Sequence, residues 1–316
     1  MIRTLILSIA LVCSSHVAAA ADKIIVSGAS GQLGALVTEA LLARNVAPAD
    51  LILVSRTPDS DALKAYAARG ASVRFGDFTK PESLVTAYRG GTRMLLISIN
   101  GGTNRAQLHK AAIDAAVRAG VKQVAYTSYV NADRYTTSMI GGDHRRTEQF
   151  LQASGVSWTL LRNQIYANGL IDQAEQIVRD GELVTFTPDA RVAYVTREDC
   201  AEAAAAVLTT PGHDNKAYNI TGPDAVGPRE LVALTSEIAG KPLRLVVQSE
   251  DEYRQRLRDA GLQDSAINGN VAFAKELDSP YLREPSTAVE ELTGKAPTSV
   301  RMLLEAGRAR LRAAAQ

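Results

Sequence analysis

Cross-linking is the first thing this sequence lacks. Its 316 residues include two cysteines, Cys13 and Cys200. Cys13 falls in an N-terminal stretch that reads as a leader, so a mature chain would keep one thiol and form no internal disulfide. Histidine is scarce too. Of four, only His109, His144 and His213 lie beyond that leader. With no His-Glu-x-x-His pattern and no paired cysteines, no metal site is expected. Neither charge sign dominates: 35 basic residues against 34 acidic ones leave a net +1. Such a balance points to neither nucleic acid nor an acidic membrane surface. No apolar run approaches the roughly 20 residues of a membrane helix, so no stable span is expected. Solenoid-period repeats, low-complexity tracts, flexible linkers and the Gly-x-Ser-x-Gly nucleophile elbow are absent. What remains is an ordinary globule, 46% hydrophobic, with enough apolar mass for a sizeable core.

The leader has three parts. Met1-Ile2-Arg3 is positive, residues 5–12 are apolar and uncharged, and small residues follow at 18–21. That is the order of a secretory signal, with cleavage expected near Ala20. No Arg-Arg pair precedes the apolar run, and Val12 before Cys13 is too bulky for a lipoprotein site. The expectation is an exported, periplasmic protein. If the start were misassigned, with initiation at Val17, the chain would stay cytoplasmic.

From residue 23 onward, short β-rich runs alternate with helical stretches. Strands are expected at 23–27, 51–55, 71–75, 93–97, 123–127 and 157–161. Several are nearly continuous in Val, Ile and Leu, as strands buried on both faces should be. Between them, Leu33, Val37, Ala40 and Leu41, and later Ala111, Ala112, Ala115 and Ala116, recur at helical spacing. Repeated strand–helix–strand units give an α/β fold, a Rossmann-type doubly wound parallel sheet with helices on both faces. The expected division is a dinucleotide-binding part over 21–165 and a smaller substrate lobe over 166–316 within one structural unit. That lobe should contain strands at 192–195 and 217–220 and a helix at 197–208, with helices dominating to the end. The glycosylation sequon Asn219-Ile220-Thr221 falls in one of those strands and reads as chance.

The first strand runs into "GASGQLG". Gly28, Gly31 and Gly34 allow a tight turn and a close approach of backbone N–H groups to a pyrophosphate at a helix N-terminus. Gly28, Ser30, Gly31, Gln32 and Leu33 are therefore the expected phosphate loop. NAD-binding chains usually place an acid at the end of the second strand for the ribose hydroxyls. Here the chain reads Val54-Ser55-Arg56-Thr57, with no acid before Asp59. Arg56 suits a 2′-phosphate, so the expected cofactor is NADP(H). Asp77 and Phe78 after the third strand should lie beside the adenine, and Ser98 after the fourth should pass under the cofactor.

Short-chain dehydrogenases protonate a carbonyl with a Tyr activated by a Lys four residues later. None of the ten tyrosines has a lysine at that spacing. Thr127 and Ser128 take the place of the usual serine. The helix that should carry the pair reads "MIGGDHRRTEQF", with Ile140 in the tyrosine's place and His144 in the lysine's. A standard carbonyl reductase is thereby excluded.

The segments "SGASGQLG", "VAYTS", "DHRRTEQFL", "LLRNQIY" and "VTREDCAEAAAAVL", in this order, resemble the NmrA-like atypical short-chain dehydrogenases. The likeness is greatest to the bacterial NADPH:quinone oxidoreductase and triphenylmethane reductase type, and it spans about residues 23–305. It implies that an acid–His pair, Asp143-His144, replaces Tyr-Lys. It also aligns the family's Leu-Arg-Asn-Gly-Trp-Tyr with Leu161-Arg162-Asn163-Gln164-Ile165-Tyr166, where the Gly and Trp are lost. His144, Asn163 and Tyr166 would orient the nicotinamide and the acceptor. The expected activity is hydride transfer from NADPH to a quinone-like or other electron-poor conjugated acceptor, which needs no strong positioned acid. The alternative is an NmrA-like NAD(P)-binding sensor without turnover. Association with a second copy of the chain is left open.

Overall fold

The computed structural model describes residues 22–100, 104–135 and 139–316. The leader at 1–20, with Cys13, lies outside the described residues, as does the side chain of Ile140.

Among the described residues, nine strands and thirteen α-helices follow the anticipated alternation. The strands are β1 (Ile24–Ser27), β2 (Leu51–Ser55), β3 (Ser72–Phe75), β4 (Arg93–Leu96), β5 (Gln123–Tyr129), β6 (Ser157–Asn163), β7 (Glu182–Thr185), β8 (Lys216–Ile220) and β9 (Arg244–Val247). The first ten helices are α1 (Gln32–Ala43), α2 (Asp61–Ala68), α3 (Pro81–Tyr88), α4 (Arg105–Ala119), α5 (Met139–Gln152), α6 (Leu170–Asp180), α7 (Arg197–Thr209), α8 (Pro228–Ala239), α9 (Glu250–Asp259) and α10 (Asp264–Leu277). Three short helices close the chain: α11 (Ala288–Thr293), α12 (Val300–Ala306) and α13 (Arg308–Ala314).

Seven strands form one all-parallel sheet in the order β3-β2-β1-β4-β5-β6-β8. Successive side chains of a strand point to opposite faces, so the apolar runs feed two cores. Ile24 and Val26 of β1, with Leu53, Leu95 and Ala125, pack under α1 and α7. Ile25, with Ile52, Met94, Val124 and Leu160, packs under α3, α4 and α5. The alanines of α7 fit this role, because small side chains let the helix lie close against its neighbours. The strand order reverses between β1 and β4, and a crevice opens there at the carboxyl ends of the strands, where ligands of such sheets bind.

The chain beyond residue 165 is not a separate lobe of the sheet. It returns to the first unit twice, through α7 and through β8, the seventh strand. Its own core is smaller, built by α6, α8, α12 and α13. Two features differ from expectation. Residues 192–195 form no strand: Val192 bridges Val226 antiparallel and Val195 bridges Tyr166 in parallel, so each end of the run has a different partner. β7 and β9 make an unanticipated two-stranded parallel sheet. The last helix is tied back to the body of the chain, since Arg310 joins α13 to Asp172 (2.7 Å) and Glu175 of α6. The sequon is spent internally, for the Asn219 amide donates to Asn131 Oδ1 at 3.0 Å and Thr221 is buried. Among the described residues no helix is long and apolar enough to cross a membrane.

Candidate functional site

A cavity of about 1740 Å³ occupies the crevice. Pockets for one drug-sized ligand are about 300–1,000 Å³, so this one has room for an extended dinucleotide and a second molecule.

Its floor is the loop after β1. Gly28 stands at φ +100°, a left-handed conformation that favours glycine. The N–H groups of Gly28 and Ala29 donate to Val54 O at 3.0 and 3.1 Å, which ties the loop to β2. At Gly34 an added Cβ would stand 2.3 Å from Gly28 O, so this glycine serves the packing of α1 on the loop. Gly31 is different. Its φ is −78°, and an added Cβ would meet only Gly28 O, at 3.4 Å. The protein itself does not require glycine at Gly31; a ligand against the backbone would. Gly28, Ser30, Gly31, Gln32 and Leu33 all line the cavity.

At the end of β2, the Ser55 hydroxyl donates to Ser30 Oγ (2.8 Å) and accepts from Thr57 N (2.9 Å). Arg56 beside it is exposed, lines the cavity and makes no hydrogen bond or ion pair with any described residue. A guanidinium left free at this place fits a phosphate on the adenosine ribose. Asp77 and Phe78 line the next part of the wall. The Thr79 backbone N–H at 2.9 Å, helped by the Thr79 hydroxyl, holds the Asp77 carboxyl below its ordinary range. Ser98 follows after β4. Thr127, expected at the cofactor, does not line the cavity. It is buried, and its Oγ1 accepts from Ser98 N at 2.8 Å, so it props the β4 loop from behind. Ser128 does reach the cavity, but its proton goes to Glu148 Oε1 at 2.6 Å.

The catalytic-end residues converge from α5 and β6. His144, Asn163 and Tyr166 all line the cavity. His144 is 6% exposed. Its imidazole stacks at 6.0 Å on Tyr129, and its Nδ1 lies 2.8 Å from the Tyr126 hydroxyl. Burial, reinforced by Arg105 and His109 nearby, holds it well below the ordinary histidine range, so it is neutral at physiological pH. Asp143 and His144, the acid and histidine that the resemblance puts in place of Tyr-Lys, both line the cavity but take different partners. Asp143 turns to Arg105 of α4 (3.5 Å), because successive helix residues project in different directions. Asn163, 5% exposed, donates through Nδ2 to the Tyr166 hydroxyl (3.2 Å), while its Oδ1 has no partner. A buried acceptor without a donor inside a cavity is an uncommon and costly arrangement. It fits a ligand N–H, such as the carboxamide of a nicotinamide. The free Arg56, the open backbone at Gly31 and the orphaned Asn163 oxygen together span a site that fits NADP(H).

Several site residues escaped sequence reasoning. Glu148 is buried and takes two bonds from Arg162, at 3.0 and 2.8 Å, and Arg162 also pairs with Asp133 at 2.9 Å. This network braces Ser128 under the cavity. Arg105, Tyr129, Tyr135, Arg197 and the exposed ring of Phe273 complete the wall. A signal existed in part: Arg105 and His109, and likewise His144 and Glu148, are spaced i, i+4 and so share one helix face. Among the described residues no cluster of His, Cys, Asp and Glu could hold a metal ion.

A family model described as NAD(P)H-binding matches residues 28–211. Quinone oxidoreductase 2 of Escherichia coli (strain K12) is 35% identical over 243 residues, 76% of this chain and 83% of its own. The NAD(P)H azoreductase of Xenophilus azovorans is 28% identical over 272 residues, 86% and 93% of the two chains. Among solved structures, triphenylmethane reductase of Citrobacter sp. complexed with NADP(H) superposes with a TM-score of 0.82 and 30% identity, over 90% of this chain and 99% of that one.

Proposed function

Because this chain belongs to the NAD(P)H-binding, NmrA-like family, we infer that it is an NADPH-dependent oxidoreductase that reduces flat, conjugated acceptors of the quinone type. The observation that carries this reading is that, among the described residues, no usable acid stands beside a well-formed cofactor cleft. No lysine lines the cavity among the described residues. Each phenol near it is engaged or poorly acidic. Tyr129 donates to Glu276 (3.2 Å), Tyr126 is buried behind His144, and burial pushes the Tyr166 phenol up. Such a site can hold and orient, but it has little to offer a simple ketone, which needs a proton in the transition state. A quinone spreads the incoming charge over its ring system and can take its proton from water.

The β1 loop and Arg56 would hold NADPH, which would supply the hydride when bound. Asn163 and Tyr166 fix the plane of the ring that carries it, and the aromatic wall of Tyr129 and Tyr135 offers a face to a flat acceptor. The contribution of the protein is proximity and orientation. The test mixes purified protein with NADPH and follows the reduced-nicotinamide absorbance over a panel of quinones, azo dyes and aliphatic ketones. Quinones should be reduced, and ketones should be slower by roughly 10²–10⁴-fold, the usual contribution of a positioned acid. Equal rates for both classes would refute the reading. NADPH binding without turnover on any acceptor would favour a sensor.

From the order of residues 1–20 alone, we propose that the chain is exported. Cell fractionation with N-terminal sequencing tests this, and an intact Met1 in the cytosol would refute it.

A further inference from the structure

A chain of hydrogen bonds behind the cavity wall favours one set of protons. It starts from a donor whose direction is fixed, the backbone N–H of Ile99, which donates to His109 Nε2 at 3.0 Å. An accepting Nε2 carries no proton, so in the neutral ring the proton sits on Nδ1. That nitrogen lies 3.1 Å from Thr147 Oγ1 and 3.3 Å from the Tyr126 hydroxyl. Thr147 has committed its own proton to the Asp143 carbonyl (2.8 Å), so its oxygen can accept. Tyr126 cannot donate toward a protonated nitrogen. Its short bond is to His144 Nδ1, at 2.8 Å, while its neighbour Thr147 already takes the His109 proton, so the hydroxyl proton goes to His144. The reverse arrangement would bury a hydroxyl proton with no acceptor, a cost that packed interiors avoid. His144 therefore accepts at Nδ1 and keeps its proton on Nε2, the nitrogen with no protein partner among the described residues, on a ring that lines the cavity.

We propose that His144 serves as a neutral hydrogen-bond donor, offering Nε2–H to the acceptor oxygen on which negative charge develops, and that His109 and Tyr126 are positioning residues that lock it in this tautomer. The role at the acceptor rests on the function proposed above; the tautomer follows from the hydrogen bonds alone. His144 donates a hydrogen bond and not a proton. Behind it the chain ends at the Ile99 amide and the Asp143 carbonyl, so nothing can replace a proton lost from Nε2, and loss would leave an imidazolate. The balance is one quinone, one NADPH and one proton giving one hydroquinone and one NADP⁺. Hydride and its electron pair pass to the quinone, the hydroquinone monoanion forms against Nε2–H, and water supplies the proton. A neutral imidazole is suited to this task, because it stabilises an oxyanion without titrating in the working range. The titratable and charged groups around it are Arg105 and His109 from α4, Tyr126 and Tyr129 from β5, and Asp143 and Glu148 on α5.

Nitrogen-15 spectra of histidine-labelled, cofactor-free protein read the tautomers without reference to activity. His144 should be protonated at Nε2 only and His109 at Nδ1 only. In Tyr126→Phe, His144 should become a mixture, and kcat with a quinone should fall several-fold while the NADPH Kd is unchanged. His144→Leu should lose about 10²-fold in kcat, and His144→Gln, which retains an N–H, should recover most of it. The kcat of the unaltered protein should be flat between about pH 5.5 and 8. A His144 proton on Nδ1 would overturn the tautomer. The assigned tautomer together with a fully active His144→Leu would overturn the donor role. A protein that turns over no quinone would remove the acceptor reading and the donor role with it, yet leave the spectra as stated, so the two failures are distinguishable.

Discussion

Acidification should destabilise this protein through His109, and the size of the effect can be worked out. His109 is fully buried between α4, β5 and α5, and burial, aided by Arg105, lowers its pKa from 6.5 to about 3. At pH 5 the folded ring is neutral while the unfolded one is almost wholly protonated. The unfolded state then binds more protons, so stability rises with pH and is lost as pH falls from 6.5 toward 3. For this one group the loss between pH 7 and pH 5 is about 2 kcal/mol. His144 acts in the same direction, but it is common to both proteins in a comparison with His109→Gln. Urea unfolding of the two at pH 7 and pH 5 therefore isolates His109. The stability gap between them should shift by about 2 kcal/mol toward the variant at the lower pH. Parallel losses in both would show that His109 is not held neutral, and the hydrogen-bond chain built on it would fall.

Other outcomes follow from the same geometry. Arg56→Ala should weaken NADPH binding by about 1.5–3 kcal/mol, the worth of a charge-assisted contact, with NADH binding unchanged by titration calorimetry; equal losses for both would remove the 2′-phosphate assignment. Gly31→Val should keep its melting temperature within a few degrees and lose cofactor binding, because only the ligand needs that space. Gly34→Val should fail to fold, since its Cβ would stand 2.3 Å from Gly28 O; a reversed pattern would contradict the loop geometry. Glu148→Gln should cost about 3 kcal/mol in urea unfolding, the low end for breaking a buried pair, because Arg162 keeps Asp133 at 2.9 Å. A cost within error of zero would mean that the network does not brace the site.

Much of this protein was legible in its residues alone. Strand and helix periodicity, the spacing of Gly28, Gly31 and Gly34, the lone Arg56 and the lack of a Tyr-Lys pair are local features. Each is fixed by neighbours within a few positions, because backbone conformation and the face a side chain takes are local properties. They determined the doubly wound sheet and the cofactor cleft, and they show that the Tyr-Lys pair is missing. The partners of the side chains were decided elsewhere. The resemblance named Asp143 and His144 together, and the packing of α4 on α5 gave Asp143 to Arg105 and His144 to Tyr126 of β5. Thr127 and Ser128 looked equivalent, yet strand alternation turned one behind the wall and the other into the cavity. Residues 192–195 had strand composition, yet their two ends bridge different partners and they form no strand. Each of these outcomes depends on which elements meet across long separations in the chain. That choice is made by burial and hydrogen-bond satisfaction summed over the whole fold, and no short window of sequence carries it.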